Sequence, residues 1–156
     1  MEKKIVIDYK EFSDVSFFNE IEKELVLKAQ LIAKKAYSPY SKFNVGAVVL
    51  LENGQVVEGN NQENAAYPSG ICAERVALFY AGSNFPEVSV KILVVVSEGD
   101  LLVENQFVTP CGACRQVMLE SEKRQKEPLK VILTSQSGRI LVFNSALDLL
   151  PLSFGF

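Results

Sequence analysis

From about Phe17 to Ala36 the apolar residues Phe18, Ile21, Leu25, Ala29, Ile32 and Ala36 return every three or four positions with charged residues between them, the spacing of one buried helical face. Ser38-Pro39 ends that helix, because proline disfavours helical geometry in the residue before it. Phe43–Leu51 and Gln55–Gly59 then read as two antiparallel strands joined across Glu52-Asn53-Gly54, where Asn-Gly tolerates the positive φ of a tight hairpin. An Asn-rich loop leads to a helix from about Cys72 to Ala81, with Gly82 placed to take a left-handed conformation at its end. Val88–Val96 is almost wholly apolar and β-branched, as a central strand covered on both faces would be. A long loop, Ser97 to Pro110, precedes a helix from Gly112 to about Lys123, and Leu129–Thr134 with Arg139–Phe143 predict a second hairpin. Asn144 or Ser145 caps a short last helix before Pro151.

The order α β β α β α β β α predicts an α/β fold in which a mixed five-stranded sheet is sandwiched between helices, a three-layer α/β/α arrangement. Residues 15–156 read as a single domain, preceded by an extension over residues 1–14 in which Lys4–Tyr9 is a candidate extra edge strand. No repeat or low-complexity tract interrupts the 156 residues.

Composition narrows the chemistry. Nineteen acidic against sixteen basic residues give a net charge of −3, and no basic run exceeds two residues, which argues against binding nucleic acid. The longest apolar run, Val45–Leu51, is far short of the roughly 18–20 residues that cross a bilayer, so no membrane role is expected and the location reads as cytoplasmic. Histidine is absent, which removes Ser-His-Asp triads, Cys-His nucleophiles and His-containing zinc sites. Three cysteines, an odd number, argue against a disulfide framework.

Cys111-Gly112-Ala113-Cys114 is compatible with a zinc half-site, a redox pair or two unconnected core thiols. Position sharpens it: both sulfurs fall at the first turn of a predicted helix, where free N–H groups and the macrodipole favour thiolate, and Cys72 falls at the start of the other central helix. In sheets of this kind the helix N-termini gather at the carboxyl edge of the strands. Brought together there, Cys72, Cys111 and Cys114 supply one ligand fewer than a closed tetrahedral zinc site, so one zinc per chain would keep water or hydroxide as its fourth ligand. Glu74, two residues after Cys72, is placed to exchange protons with that water. Arg75 is the candidate to offset the charge of the thiolates. Inert buried thiols, a structural zinc closed by a carboxylate and a noncatalytic zinc-stabilised interaction module remain as rivals.

Cys72-Ala73-Glu74-Arg75 and Pro110-Cys111-Gly112-Ala113-Cys114-Arg115-Gln116 resemble the signature of the zinc-dependent cytidine deaminases, in particular their small three-cysteine homotetrameric branch. The resemblance runs from about Ala36 to Phe154. It implies hydrolytic deamination of free cytidine or deoxycytidine to the uridine counterpart with release of ammonia, a pyrimidine-salvage reaction with Glu74 as the catalytic residue. It also implies a homotetramer with sites near the subunit interfaces. Tyr37–Phe43 and Asn60–Tyr67 are similar to the family's substrate elements. By that similarity Phe43 packs on the pyrimidine, Asn61 and Glu63 hydrogen-bond the ribose, and the Ala73 N–H binds the base carbonyl. Phe154 stands where the family's tail carries an aromatic residue that reaches a neighbouring subunit's site. Glu63 also suits a neutral sugar better than a phosphate, which it would repel. The chain departs from the family in its N-terminal extension and in a longer stretch within Ser97–Thr109. Deamination of another aminopyrimidine compound stays open, because the zinc centre does not choose the substrate.

Overall fold

Alternate residues of one strand feed two separate cores. The structure, a computed structural model, describes residues 1–99 and 107–155, and its central strand β4, Val90–Gly99, sends Leu93 and Val95 to one side of the sheet and Val94 and Val96 to the other. Both sides are covered, which is why the run is apolar without alternation. The other strands and α-helices are β1 (Lys10–Phe12), α1 (Glu20–Ala33), β2 (Phe43–Leu51), β3 (Val56–Asn60), α2 (Ala73–Asn84), α3 (Gly112–Gln125), β5 (Lys130–Thr134) and β6 (Ile140–Phe143), with a 3-10 turn at Ala146–Leu149 after them. Strand order is β1-β6-β5-β4-β2-β3, with β4 and β5 parallel and every other pair antiparallel. Helix α1 covers one face through Leu25, Val26 and Ala29, while α2 and α3 cover the other through Ala77, Leu78, Ala81, Cys114 and Met118.

The mixed sheet between helix layers agrees with the sequence reading, except that it has six strands, not five. The sixth is β1, which pairs antiparallel with β6 in the register Lys10↔Val142 to Phe12↔Ile140. It lies just after the expected Lys4–Tyr9, which is not assigned as strand; Tyr9 instead rests its ring on Phe143, with centroids 5.6 Å apart. Three residues suffice because Phe12 adds a ring contact to Phe18 at 5.7 Å, anchoring the strand in the core under α1. Other boundaries move by a turn or less. Helix α1 starts at Glu20 because Asn19 and Glu22 form a capping box, Asn19 Oδ1 accepting from the Glu22 N–H at 2.9 Å. Gly82 lies inside α2, which runs on to Asn84, and the left-handed helix end occurs instead at Lys126 after α3. The last helix is only the 3-10 turn. Of the long Ser97–Pro110 loop, Ser97–Gly99 belongs to β4, and residues 100–106 lie outside the described residues.

Two glycines set how closely the helices approach. A Cβ on Gly46 of β2 would meet the Ala29 carbonyl oxygen at 2.1 Å, on the α1 side. A Cβ on Gly59 of β3 would meet the Ala73 carbonyl oxygen and the Ala77 nitrogen, each at 2.7 Å, on the α2 side. The first turn of α2 therefore sits directly on the sheet.

Candidate active site

β3 and β4 are both antiparallel to β2 and so run in the same direction. The helices that follow them, α2 and α3, consequently begin at the same edge of the sheet and on the same face. Cys72 is the residue that caps α2 and Cys111 the one that caps α3, both in extended backbone conformation, and Cys114 lies in the first turn of α3. All three sulfurs lie within 4.8 Å of one another, with Cys72 to Cys111 at 4.0 Å and Cys111 to Cys114 at 3.5 Å. Tetrahedral coordination with bonds of about 2.3 Å separates its sulfurs by about 3.8 Å. The thiols are unlinked, and they grade from buried Cys114 through half-buried Cys72 to exposed Cys111, so the cluster opens to one side. Among the described residues no fourth His, Cys, Asp or Glu joins the group. The donor set fits a zinc ion with one open position.

The charge around the cluster is arranged for this. Arg75 donates from Nη2 to Cys72 Sγ at 3.7 Å, and its buried Nε has no acceptor among the described residues. The Cys72 thiol is lowered to about 5, first by a hydrogen bond from Cys114 and then by Arg75. Cys114 moves up, because it donates that hydrogen bond and because it is buried. Glu74, only 5% exposed, has its carboxyl raised above the ordinary range, chiefly by burial and further by the charge on Cys72. A carboxyl raised in this way holds a proton closer to neutral pH, where acid–base exchange is most effective.

The expected substrate residues occupy the surrounding edge. Phe43 opens β2 opposite Gly99, at the same edge as the cysteines, and continues the face on which Val45 and Ala47 pack beneath α2 and α3. Asn61 carries on past the end of β3: its Oδ1 accepts from the Val45 N–H at 2.7 Å and its Nδ2 donates to the Phe43 carbonyl at 2.9 Å. Glu63 accepts from the Tyr40 N–H at 2.9 Å, the Ser41 N–H at 3.3 Å and the Ser41 hydroxyl, and the last of these contributes most to holding its carboxyl below the usual range. Both side chains thus brace the loop that delivers Phe43. Ala73 opens α2, so its N–H belongs to the first turn, where a helix has no internal acceptors. Phe154 is 71% exposed, and its carbonyl accepts from Gln116 Nε2 on α3 at 3.2 Å. Sequence reasoning overlooked Ser41, whose hydroxyl donates to the Glu63 carboxylate, and Arg115, whose contact with the Leu149 carbonyl joins residues 34 positions apart. The neighbouring Cys114 was the available signal for Arg115.

A family model described as the cytidine and deoxycytidylate deaminase zinc-binding region matches residues 19–126. The chain belongs to this family. Zinc is accordingly the metal of this deaminase, and Cys72, Cys111 and Cys114 form a group that could hold it. Among its relatives, a cytidine deaminase of Halalkalibacterium halodurans is 44% identical over 101 residues, 64% of this chain and 72% of the relative. One from Sporosarcina psychrophila is 45% identical over 101 residues, 65% and 69% of the two chains. The crystal structure of a cytidine deaminase from Burkholderia pseudomallei superposes with a TM-score of 0.72 at 40% identity, covering 85% of this chain and 98% of that one. No helix among the described residues of this deaminase is long and apolar enough to cross a membrane.

Proposed function

We propose that the chain hydrolyses the exocyclic amine of free cytidine or deoxycytidine, leaving uridine or deoxyuridine and ammonia, and that it serves pyrimidine salvage. The observation that carries this reading is a cluster of three cysteine sulfurs, open on one side, with the buried carboxyl of Glu74 beside it. Held by Cys72, Cys111 and Cys114, zinc would supply Lewis acidity that lowers the pKa of water toward neutrality. Glu74 accepts the proton released as water adds to C4 of the base, and passes it to ring N3. A carbon–oxygen bond forms at C4. Glu74 then takes the proton of the new C4 hydroxyl and delivers it to the exocyclic nitrogen, so that the carbon–nitrogen bond breaks, the C4 carbonyl forms and ammonia leaves. Arg75 keeps the negative charge of the thiolates from opposing this chemistry.

Phe43 packs against the pyrimidine, the Ala73 N–H donates to the base carbonyl, and Asn61 and Glu63 hydrogen-bond the ribose while bracing the Tyr40–Phe43 loop. Phe154 reaches a neighbouring copy's site in a homotetramer. The protein works in the cytoplasm, where three unpaired thiols stay reduced. Residues 1–14 are an N-terminal extension that adds the edge strand β1 to the single domain formed by 15–156.

Zinc content per chain, measured together with ammonia release from cytidine, deoxycytidine, cytosine and aminopyrimidine analogues, tests the reading. One zinc per chain and turnover of the two nucleosides is the expected result. Turnover of an analogue alone would reassign the substrate, and tightly held zinc with no ammonia from any compound would make the chain a zinc-stabilised binding module. Sedimentation of the purified protein tests the tetramer.

A further inference from the structure

Arg115 follows Cys114 on α3, and its guanidinium donates to three oxygens in two separate segments. Nε donates to the Pro110 carbonyl at 2.7 Å, Nη2 to the Thr109 hydroxyl at 2.7 Å and Nη1 to the Leu149 carbonyl at 2.9 Å. The first two acceptors are the residues immediately before Cys111; the third closes the 3-10 turn from which the C-terminal tail departs. Gln116, the next residue, holds the far end of the same tail through the Phe154 carbonyl at 3.2 Å. Residues 107–110 are assigned to no helix or strand, so no ladder of backbone hydrogen bonds sets the approach to Cys111. The peptide plane of Pro110 orients that approach, and Arg115 grips its oxygen. A planar fork that satisfies three fixed acceptors at once is something a lysine, with one ammonium point, does not reproduce.

We propose that Arg115 is a positioning residue that fastens the metal-binding turn and the C-terminal tail to each other, so that metal retention by Cys111 and Cys114 and placement of Leu149–Phe154 are coupled. This rests on the reading of the three cysteines as zinc ligands, not on the identity of the substrate. Coupling of this kind is reciprocal: what the tail contributes to holding metal, metal contributes equally to holding the tail. Groups that orient metal ligands from the next layer out typically change metal affinity about 10–100-fold when removed.

The test uses the zinc-loaded full chain and its Arg115→Lys variant. Zinc release into excess chelator is followed with a metal-sensitive dye, and deuterium uptake by residues 149–155 is measured with and without zinc. Arg115→Lys is expected to release zinc about 10–100-fold faster. In the parent, tail exchange rises when zinc is removed; in the variant it is high in both states. Should Arg115→Lys fail to fold, Thr109→Val, which removes one acceptor, is expected to release zinc at a rate between parent and the full loss. Unchanged zinc release with only a lower melting temperature, or tail exchange indifferent to zinc in the parent, would overturn the proposal. A parent that holds zinc but frees no ammonia from cytidine would defeat the catalytic reading and leave this coupling standing.

Discussion

Glu74 is held where burial opposes its charge, and it stands beside the three sulfurs without joining them as a ligand. Glu74→Gln keeps the shape and removes the ability to take up a proton, so kcat is expected to fall by at least about 10²–10⁴. Zinc content, measured by elemental analysis, is expected to stay at the parental value, and retained turnover would exclude the acid–base role. Glu63 gives a pH-dependent counterpart. Its carboxyl lies below the ordinary glutamate range when folded, so the hold it exerts on Tyr40 and Ser41 is full above that ordinary range and is lost as pH falls through the lower folded value. KM is therefore expected to climb on the acid side before zinc is lost, and Glu63→Gln should flatten that limb; a limb unchanged in the variant would assign it elsewhere. The cysteines and Glu74 were legible in the sequence because each motif is local and sits at a helix start. The bracing by Asn61 and Glu63 was not, since it joins them to Val45, Phe43 and Ser41 across intervals that no periodicity spans.

At the level of elements, the placement of α2 depends on what its first turn rests upon. Gly59→Ala would put a methyl group 2.7 Å from the Ala73 carbonyl and the Ala77 nitrogen, backbone atoms that cannot rotate away. Overpacking of this kind costs about 1–3 kcal/mol, and here the strain lifts the turn carrying Cys72, Ala73 and Glu74. Gly46→Ala supplies the control, clashing with Ala29 on the opposite face, away from the cysteines. Both variants are expected to melt earlier, but only Gly59→Ala should also lose zinc faster and turn over more slowly per folded chain. Equal zinc retention in the two would detach α2 packing from the site. Strands β2 and β4 were readable from their own residues, since a sustained apolar run needs no partner to be recognised. β1 was not: its three residues include two charged ones and become a strand only through pairing with Ile140–Val142, more than a hundred positions away.

Across the molecule as a whole, β1 closes the edge of the sheet and reaches toward the site through a line of contacts. Glu11 pairs with Arg139, and the Arg139 guanidinium lies 5.0 Å from the ring centre of Phe107, which packs on the core beneath α2 and α3 and leads into Thr109-Pro110. Removing Glu2 to Phe12 would uncover the outer edge of β6, an apolar strand whose unpaired N–H and C=O groups invite pairing with other chains. It would also delete the ring contacts of Tyr9 with Phe143 and of Phe12 with Phe17 and Phe18. The cysteines, Glu74 and Arg115 draw no contact from those residues among the interactions described, so zinc content and turnover per folded chain are expected to survive. The melting temperature should fall, by about 2–4 °C for each kcal/mol lost in a chain of this size, and light scattering should rise on warming as edges associate. Loss of zinc in the shortened chain would instead make Glu11, Arg139 and Phe107 part of what holds the metal-binding turn, and the sheet edge and the site would then have to be treated as one cooperative unit.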